Sequence, residues 1–285
     1  MTGLILHHSD FDGYCSAAIA KLKNPDYETI SLDYGMDLEE VIPWEKVENG
    51  NVILVDYTLE PFEYMVRLNN LAADFTWIDH HYTSIKEANK VGMDKVAGIR
   101  KDGTAACQLC WEYYFPKEKL PQAVYLIACL DVFDIKADER IYPFNYGLEA
   151  YETEPAKNFE LWKELLTNKE VFERILSEGR MIKTYVEKQD ENIVRKNHFL
   201  VDFEGHKFLA INNPKKGSTQ FKSIEKELEF DAYMVFRYTK GMWNYSLYAG
   251  NNSKIDLSII AKKYGGGGHK AACGFHTKEL VLTNI

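Results

Sequence analysis

Apolar runs that stop abruptly in charged residues organise the first half of the chain. Leu4 to His8 reads as a strand, and the small-residue stretch Tyr14 to Leu22 as a helix ended by Asn24-Pro25. Glu28 to Tyr34 predicts a second strand. Asn51 to Asp56, almost wholly apolar after a Glu-Asn-Gly-Asn turn, predicts a third, and Phe75 to Asp79 a fourth, with a helix over Phe62 to Ala72 between these two. Nearly continuous apolar strands alternating with helices predict a mostly parallel sheet covered on both faces. Thr104 to Phe115 and Ala123 to Leu130 read as further helices.

The pattern then changes twice. Asn158 to Lys196 is charged and poor in glycine, with Leu161, Leu165, Phe172, Ile175, Ile182 and Val186 at helical spacing, as in a helical connector. Beyond it, Phe199 to Val201 and Phe208 to Asn212 flank Glu204-Gly205, while Ala232 to Tyr238 and Trp243 to Tyr248 flank Lys240-Gly241. Both are hairpin signals. Phe221 to Leu228 and Ile255 to Tyr264 predict helices among these strands. The expected fold class is α/β: an N-terminal domain over residues 1–150 with a mostly parallel sheet, a helical connector over 151–197, and a smaller α+β domain over 198–285.

Three of the first-half strands share an ending. They run into His8-Ser9-Asp10-Phe11-Asp12-Gly13, Asp56-Tyr57-Thr58 and Asp79-His80-His81. In parallel sheets ligands bind beyond the carboxyl ends of the strands, so all three motifs converge on one crevice. Alternation along a strand lets Asp79 and His81 share one direction while His80 takes the other. Carboxylates spaced Asp-x-Asp are costly to bury together without a cation between them. His8, Asp10, Asp12, Asp56, His80 and a further acid downstream make a nitrogen and oxygen donor set that suits Mn2+ best, with Mg2+, Co2+ or Zn2+ also compatible. So many donors predict two divalent ions about 4 Å apart, the arrangement that promotes in-line attack at phosphorus. Read alone, Asp10 and Asp12 would be a helix cap and a turn; Asp56 and Asp79-His80-His81 argue against that.

Composition narrows the partners. The formal net charge is −9, from 43 acidic and 34 basic residues, which disfavours a binder of long duplex nucleic acid. A short nucleotide held through metals remains compatible. No apolar run reaches the about 18 residues of a membrane span, and five cysteines fit a reducing compartment, so a cytoplasmic location is expected. Cys107-Gln108-Leu109-Cys110 lacks the second cysteine pair of a zinc site and reads as helix packing. Gly265-Gly266-Gly267-Gly268 offers unobstructed backbone amides, and His269 directly after it makes a substrate-contact loop the stronger reading than a plain turn.

Taken together these motifs resemble the DHH phosphoesterase superfamily with its DHH-associated C-terminal domain, across nearly the whole chain. The family includes RecJ-type exonucleases, nano-RNases, cyclic-dinucleotide phosphodiesterases and enzymes of polyphosphate or pyrophosphate. The resemblance implies that Asp10 and His8 bind one metal, that Asp12, His80 and a fourth-motif acid bind the other, and that Asp56 bridges them. Asp131 is the choice for that acid and Asp134 the alternative; His7 stands as the alternative to His8. Asp79 would orient a histidine, and His81 would face the substrate phosphate. Gly266, Gly267, Gly268 and His269 would contact substrate. Tyr248 stands where nuclease-type members often carry a phosphate-binding arginine, and a tyrosine there would stack on a base instead.

The expected activity is Mn2+-dependent hydrolysis of short single-stranded oligonucleotides from an end, releasing mononucleotides, with no membrane partner and with a homodimer compatible. Hydrolysis of a cyclic dinucleotide, adenosine bisphosphate or polyphosphate is the alternative within this chemistry. A non-catalytic nucleotide-binding protein is the alternative outside it.

Overall fold

A computed structural model describes residues 3–214, 217–250 and 253–282. The chain forms two compact units, 1–183 and 184–285, each described by itself.

The first unit alternates strand and helix as expected. Its elements are β1 (Gly3–His8), α1 (Phe11–Lys23), β2 (Glu28–Leu32), α2 (Leu38–Val41), α3 (Trp44–Val47), β3 (Asn51–Val55), α4 (Glu63–Leu71), β4 (Asp74–Ile78), α5 (Tyr82–Lys90), α6 (Ala106–Tyr114), α7 (Gln122–Asp131), α8 (Ile141–Leu148), α9 (Pro155–Thr167) and α10 (Lys169–Asn197). The last of these continues past the boundary between the units. The four strands form a wholly parallel sheet in the order β2-β1-β3-β4. Strand residues bury alternately on its two faces. Ile5, Ile53, Val55 and Ile78 join α1, α6 and α7, whereas Leu4, Leu6, Leu54 and Trp77 pack with Leu38, Met65 and Leu68. Burial of each such side chain contributes about 1.5–3 kcal/mol, which is why apolar strands of this kind need helices on both sides.

Gly13 shows how tightly α1 seats on β1. A Cβ there would lie 2.3 Å from the His8 carbonyl oxygen, so the Asp-Phe-Asp-Gly spacing is a packing demand as well as a chemical one. At the other side of the sheet the chain after α5 lies along β4. Trp77 N donates to Ala97 O (2.8 Å), Asp79 N to Ile99 O (3.1 Å), and Lys101 N to Asp79 O (3.1 Å). This run covers an otherwise bare sheet edge and fixes the backbone at Asp79.

The second unit is built on a mixed six-stranded sheet, ordered β5 (Phe199–Phe203), β6 (His206–Asn212), β7 (Ala232–Thr239), β8 (Met242–Ala249), β10 (Ala272–Thr277), β9 (Gly267–Gly268). Only β6 and β7 pair in parallel. Helix α11 (Leu257–Lys263) covers one face through Leu257, Ile260 and Ala261. The helix expected over Phe221 to Leu228 is instead a 3-10 turn, Thr219–Ser223, followed by hydrogen-bonded turns. One tight turn already seats Phe221 and Ile224 against Leu209, Ile211 and Tyr233, so tertiary packing satisfies the apolar spacing without a helix. No helix among the described residues is long and apolar enough to cross a membrane.

Candidate metal centre

The three charged strand endings do meet. Beyond β1, Asp10 caps α1, accepting from Gly13 N at 2.9 Å, and its other oxygen lies 3.1 Å from His8 Nδ1. Asp12, one residue into α1, is buried. Both its oxygens accept backbone N–H groups at the start of α6, Ala106 N and Cys107 N, each at 2.8 Å. A helix N-terminus is a favourable seat for a carboxylate. The small residues Ala105-Ala106 allow this approach, and they were the only hint of it in the sequence. Asp56 follows β3 in the left-handed region at φ 53°, its N–H tied to Ile78 O, so the sheet itself presents the carboxylate to the crevice.

The two oxygens of Asp56 address different histidines. Oδ1 lies 3.3 Å from His80 Nε2, and Oδ2 lies 3.9 Å from His8 Nδ1. His80 Nε2 is also 3.8 Å from Asp12 Oδ2 and 3.5 Å from Asp131 Oδ2. Three sets thereby bring nitrogen and oxygen donors within 4.8 Å of one another: His8, Asp10 and Asp56; Asp12, His80 and Asp131; and Asp56, His80 and His81.

Asp131, at the end of α7, is the downstream acid that joins them, while Asp134 is exposed beyond the helix. His8 joins and His7 does not. His7 is fully buried beside Tyr14, its Nδ1 at 2.9 Å from the His8 carbonyl oxygen, and burial lowers its pKa to about 4.

Asp79 has a different environment. It is fully buried, and its oxygens accept from His80 N (2.7 Å), His81 N (3.2 Å) and Thr58 Oγ1 (2.9 Å), with His81 Nδ1 at 2.6 Å. Burial opposes its ionisation, but the His81 ring and these donors outweigh that and hold the carboxyl below its ordinary value. The same contact with Asp79 raises His81. Thr58 lies in the Asp56-Tyr57-Thr58 ending, but no role of its own is legible there, because it becomes a partner only where β3 and β4 lie side by side.

The remaining carboxylates repel one another. Burial, then Asp12, Asp10, Asp79 and Asp131, pushes Asp56 well above the usual carboxylate range. Burial and the nearby Asp12 raise Asp131 to about 7. Asp12 is raised by burial despite its helix donors. Asp56 Oδ2 and Asp131 Oδ2 are buried with no hydrogen-bond partner. Buried oxygens without donors, among carboxylates and imidazole nitrogens, fit divalent cations of the hard-to-borderline class.

The second-unit candidates fall in two places. Gly267–Gly268 pair with Gly274 and Cys273, and His269 sits exposed in the turn, closed by His269 N to Ala272 O at 2.7 Å. Much of this glycine run is demanded by the backbone. A Cβ on Gly266 would meet Gly274 O at 2.2 Å, and Gly268 lies at φ +128°. Tyr248 packs beside Leu209 and Tyr233, and its hydroxyl accepts Gly217 N at 3.1 Å. Cys107 and Cys110 are fully buried in the core, as their helical setting predicts.

No family model matches the chain. A mimivirus protein, R106 of Acanthamoeba polyphaga mimivirus, itself uncharacterized, is 26% identical over 246 residues, covering 81% of this chain and 54% of its own length. The chain thus spans about half the length of that curated relative. Among solved structures, the DHH domain of a member of the s1p family of ribosomal proteins aligns with a TM-score of 0.62 at 16% identity, covering 96% of this chain and 82% of its own. A pGpG-specific phosphodiesterase from Vibrio cholerae aligns with a TM-score of 0.59 at 14% identity, covering 96% of this chain and 92% of its own. The fold is that of DHH-domain proteins.

Proposed function

We propose that this chain is a divalent-metal-dependent phosphodiesterase that hydrolyses short oligonucleotides from an end to mononucleotides. The observation that carries this reading is the buried Asp56, whose two oxygens address His8 and His80 and so join two donor sets. His8, Asp10 and Asp56 would hold one cation, and Asp12, His80, Asp131 and Asp56 a second; Mn2+, Mg2+ and Co2+ all suit these donors. When bound, such ions supply Lewis acidity that favours deprotonated water and neutralises phosphoryl charge.

The protein's own contribution is positioning. Asp79 anchors the His81 ring at Nδ1 and leaves Nε2 for the substrate. In its protonated form, which Asp79 favours, His81 would donate to a phosphoryl oxygen and stabilise charge as it develops there. The net charge of −9 supports a short substrate over a long polyanion. The shared fold with a pGpG-specific phosphodiesterase supports the same class.

The test is a substrate panel with Mn2+ and Mg2+ in parallel. Release of mononucleotides from di- to pentanucleotides is expected. Intact oligonucleotides, with phosphate released from polyphosphate or pyrophosphate, would sink the phosphodiester reading.

A further inference from the structure

Beside the carboxylate cluster, α1, α7 and α8 enclose a cavity of about 180 Å³ that none of the assigned roles uses. Asp10, Asp12 and Asp131 form its rim on the metal side, and its walls are Phe11, Ile127, Leu130 and Phe144. An apolar cavity opening straight onto buried charge serves no electrostatic purpose, because low-dielectric walls make those carboxylates costlier to ionise. It is suited to a ligand that carries an apolar ring beside a phosphate.

We infer that this cavity seats the nucleobase of the nucleotide whose phosphate lies at the metal centre, so that the enzyme acts on nucleotides rather than on inorganic polyphosphate. The inference rests on the phosphodiesterase reading for the placement of the phosphate. Three observations support it within a single unit. The volume lies below the about 300 Å³ at which sites for drug-sized ligands begin, so it holds one ring system and not a whole dinucleotide. Phe11, only partly buried, supplies aromatic surface on which any base can stack, and the fully buried Phe144 closes the cavity behind it. The one amide in the lining, Asn145, spends an N–H on Glu149 Oε1 (2.8 Å), which leaves its carbonyl oxygen and second N–H for the edge of a base. Such a site combines an apolar body with a single orienting polar group.

The discriminating experiment is calorimetric binding, with Mn2+ present, of AMP against ribose 5-phosphate, which keeps the sugar and phosphate and lacks the base. The wild-type protein should bind AMP about tenfold or more tightly, the scale of one buried, stacked base. Ile127→Phe fills the cavity from α7 and should reduce that preference to about twofold or less. A melting curve checks that the variant is folded, and Leu130→Phe repeats the comparison from the adjacent wall if it is not. Equal binding of the two ligands by the wild type overturns the inference, and so does an AMP preference that survives in a folded filled-cavity variant. A dinucleotide assay run alongside separates the two claims. A base preference lost on filling the cavity, without turnover of any dinucleotide, keeps the base site and removes the phosphodiesterase reading; turnover without a base preference does the reverse.

Discussion

Asp56 and Asp79 each follow the end of a strand, β3 and β4, which are neighbours in one sheet, and both are withdrawn from water. Their surroundings differ completely. Asp79 is supplied with donors by two backbone amides, Thr58 and His81, and its carboxyl is held low. Asp56 faces other carboxylates, retains an oxygen with no donor, and is pushed high. The contrast teaches how to read a buried acid. One that the fold satisfies by itself is a positioning device. One that the fold leaves unsatisfied, beside imidazoles, has the donor set that fits a cation.

Removing the unsatisfied member should cost function without costing the fold. Asp56→Asn is expected to lower phosphodiester turnover by about a thousandfold, on the scale of losing preorganised charge at a reacting centre. Its melting temperature in chelator should equal or exceed that of the wild type, because a repelling buried charge has gone. A large drop in melting temperature would break the contrast, by showing that Asp56 stabilises the fold.

The satisfied member should behave in the opposite way. Asp79→Ala leaves buried donors without partners and should destabilise the first unit by about 2–3 kcal/mol, measured by denaturant unfolding. Loosening of His81 should cost about 10- to 100-fold in turnover. Because the folded pKa of Asp79 lies below its unfolded value, its contribution is present above about pH 4 and is lost as pH falls through the folded value. The stability gap between Asp79→Ala and wild type should therefore narrow in acid.

Metal removal tests both acids together. Saturating Mn2+, at about 100 times its Kd, should stabilise the protein by about 2.7 kcal/mol relative to chelator, read as a rise in melting temperature. In chelator the carboxylates raised by burial and mutual repulsion act oppositely to Asp79. Asp131, at about 7 in the folded state, favours folding while protonated, so stability should decline as pH rises from about 4 to about 7. Mn2+ should flatten that decline; an equal slope with and without metal would separate these acids from the cation site.

Tyr248→Phe gives the smallest expected effect. Its hydroxyl accepts Gly217 N within the second unit, so the loss should be about 0.5–1.5 kcal/mol of stability, with turnover within about twofold. A tenfold loss of turnover would instead give that hydroxyl a direct role with substrate.

The alternating pattern of the first half made its four strands legible, because a sheet buried on both faces needs nearly unbroken apolar runs and the chain has little freedom to write them otherwise. The strand endings were equally plain, since Asp10, Asp12, Asp56 and Asp79-His80-His81 are expensive residues at positions that sheet geometry brings together. Over Phe221 to Leu228 the pattern misled, because one 3-10 turn already buried the residues that suggested a helix.

What sequence alone determined was therefore the parallel sheet and the identity of the acids and imidazoles at its end, both fixed by local burial and charge. The sequence also favoured His8 over His7 and Asp131 over Asp134, the residues found in the cluster. Tertiary structure alone decided the rest: that Thr58 and the start of α6 hold Asp79 and Asp12, and that an apolar cavity opens beside them. Those choices depend on which donors and walls distant segments bring to each side chain, and no spacing along the chain encodes that.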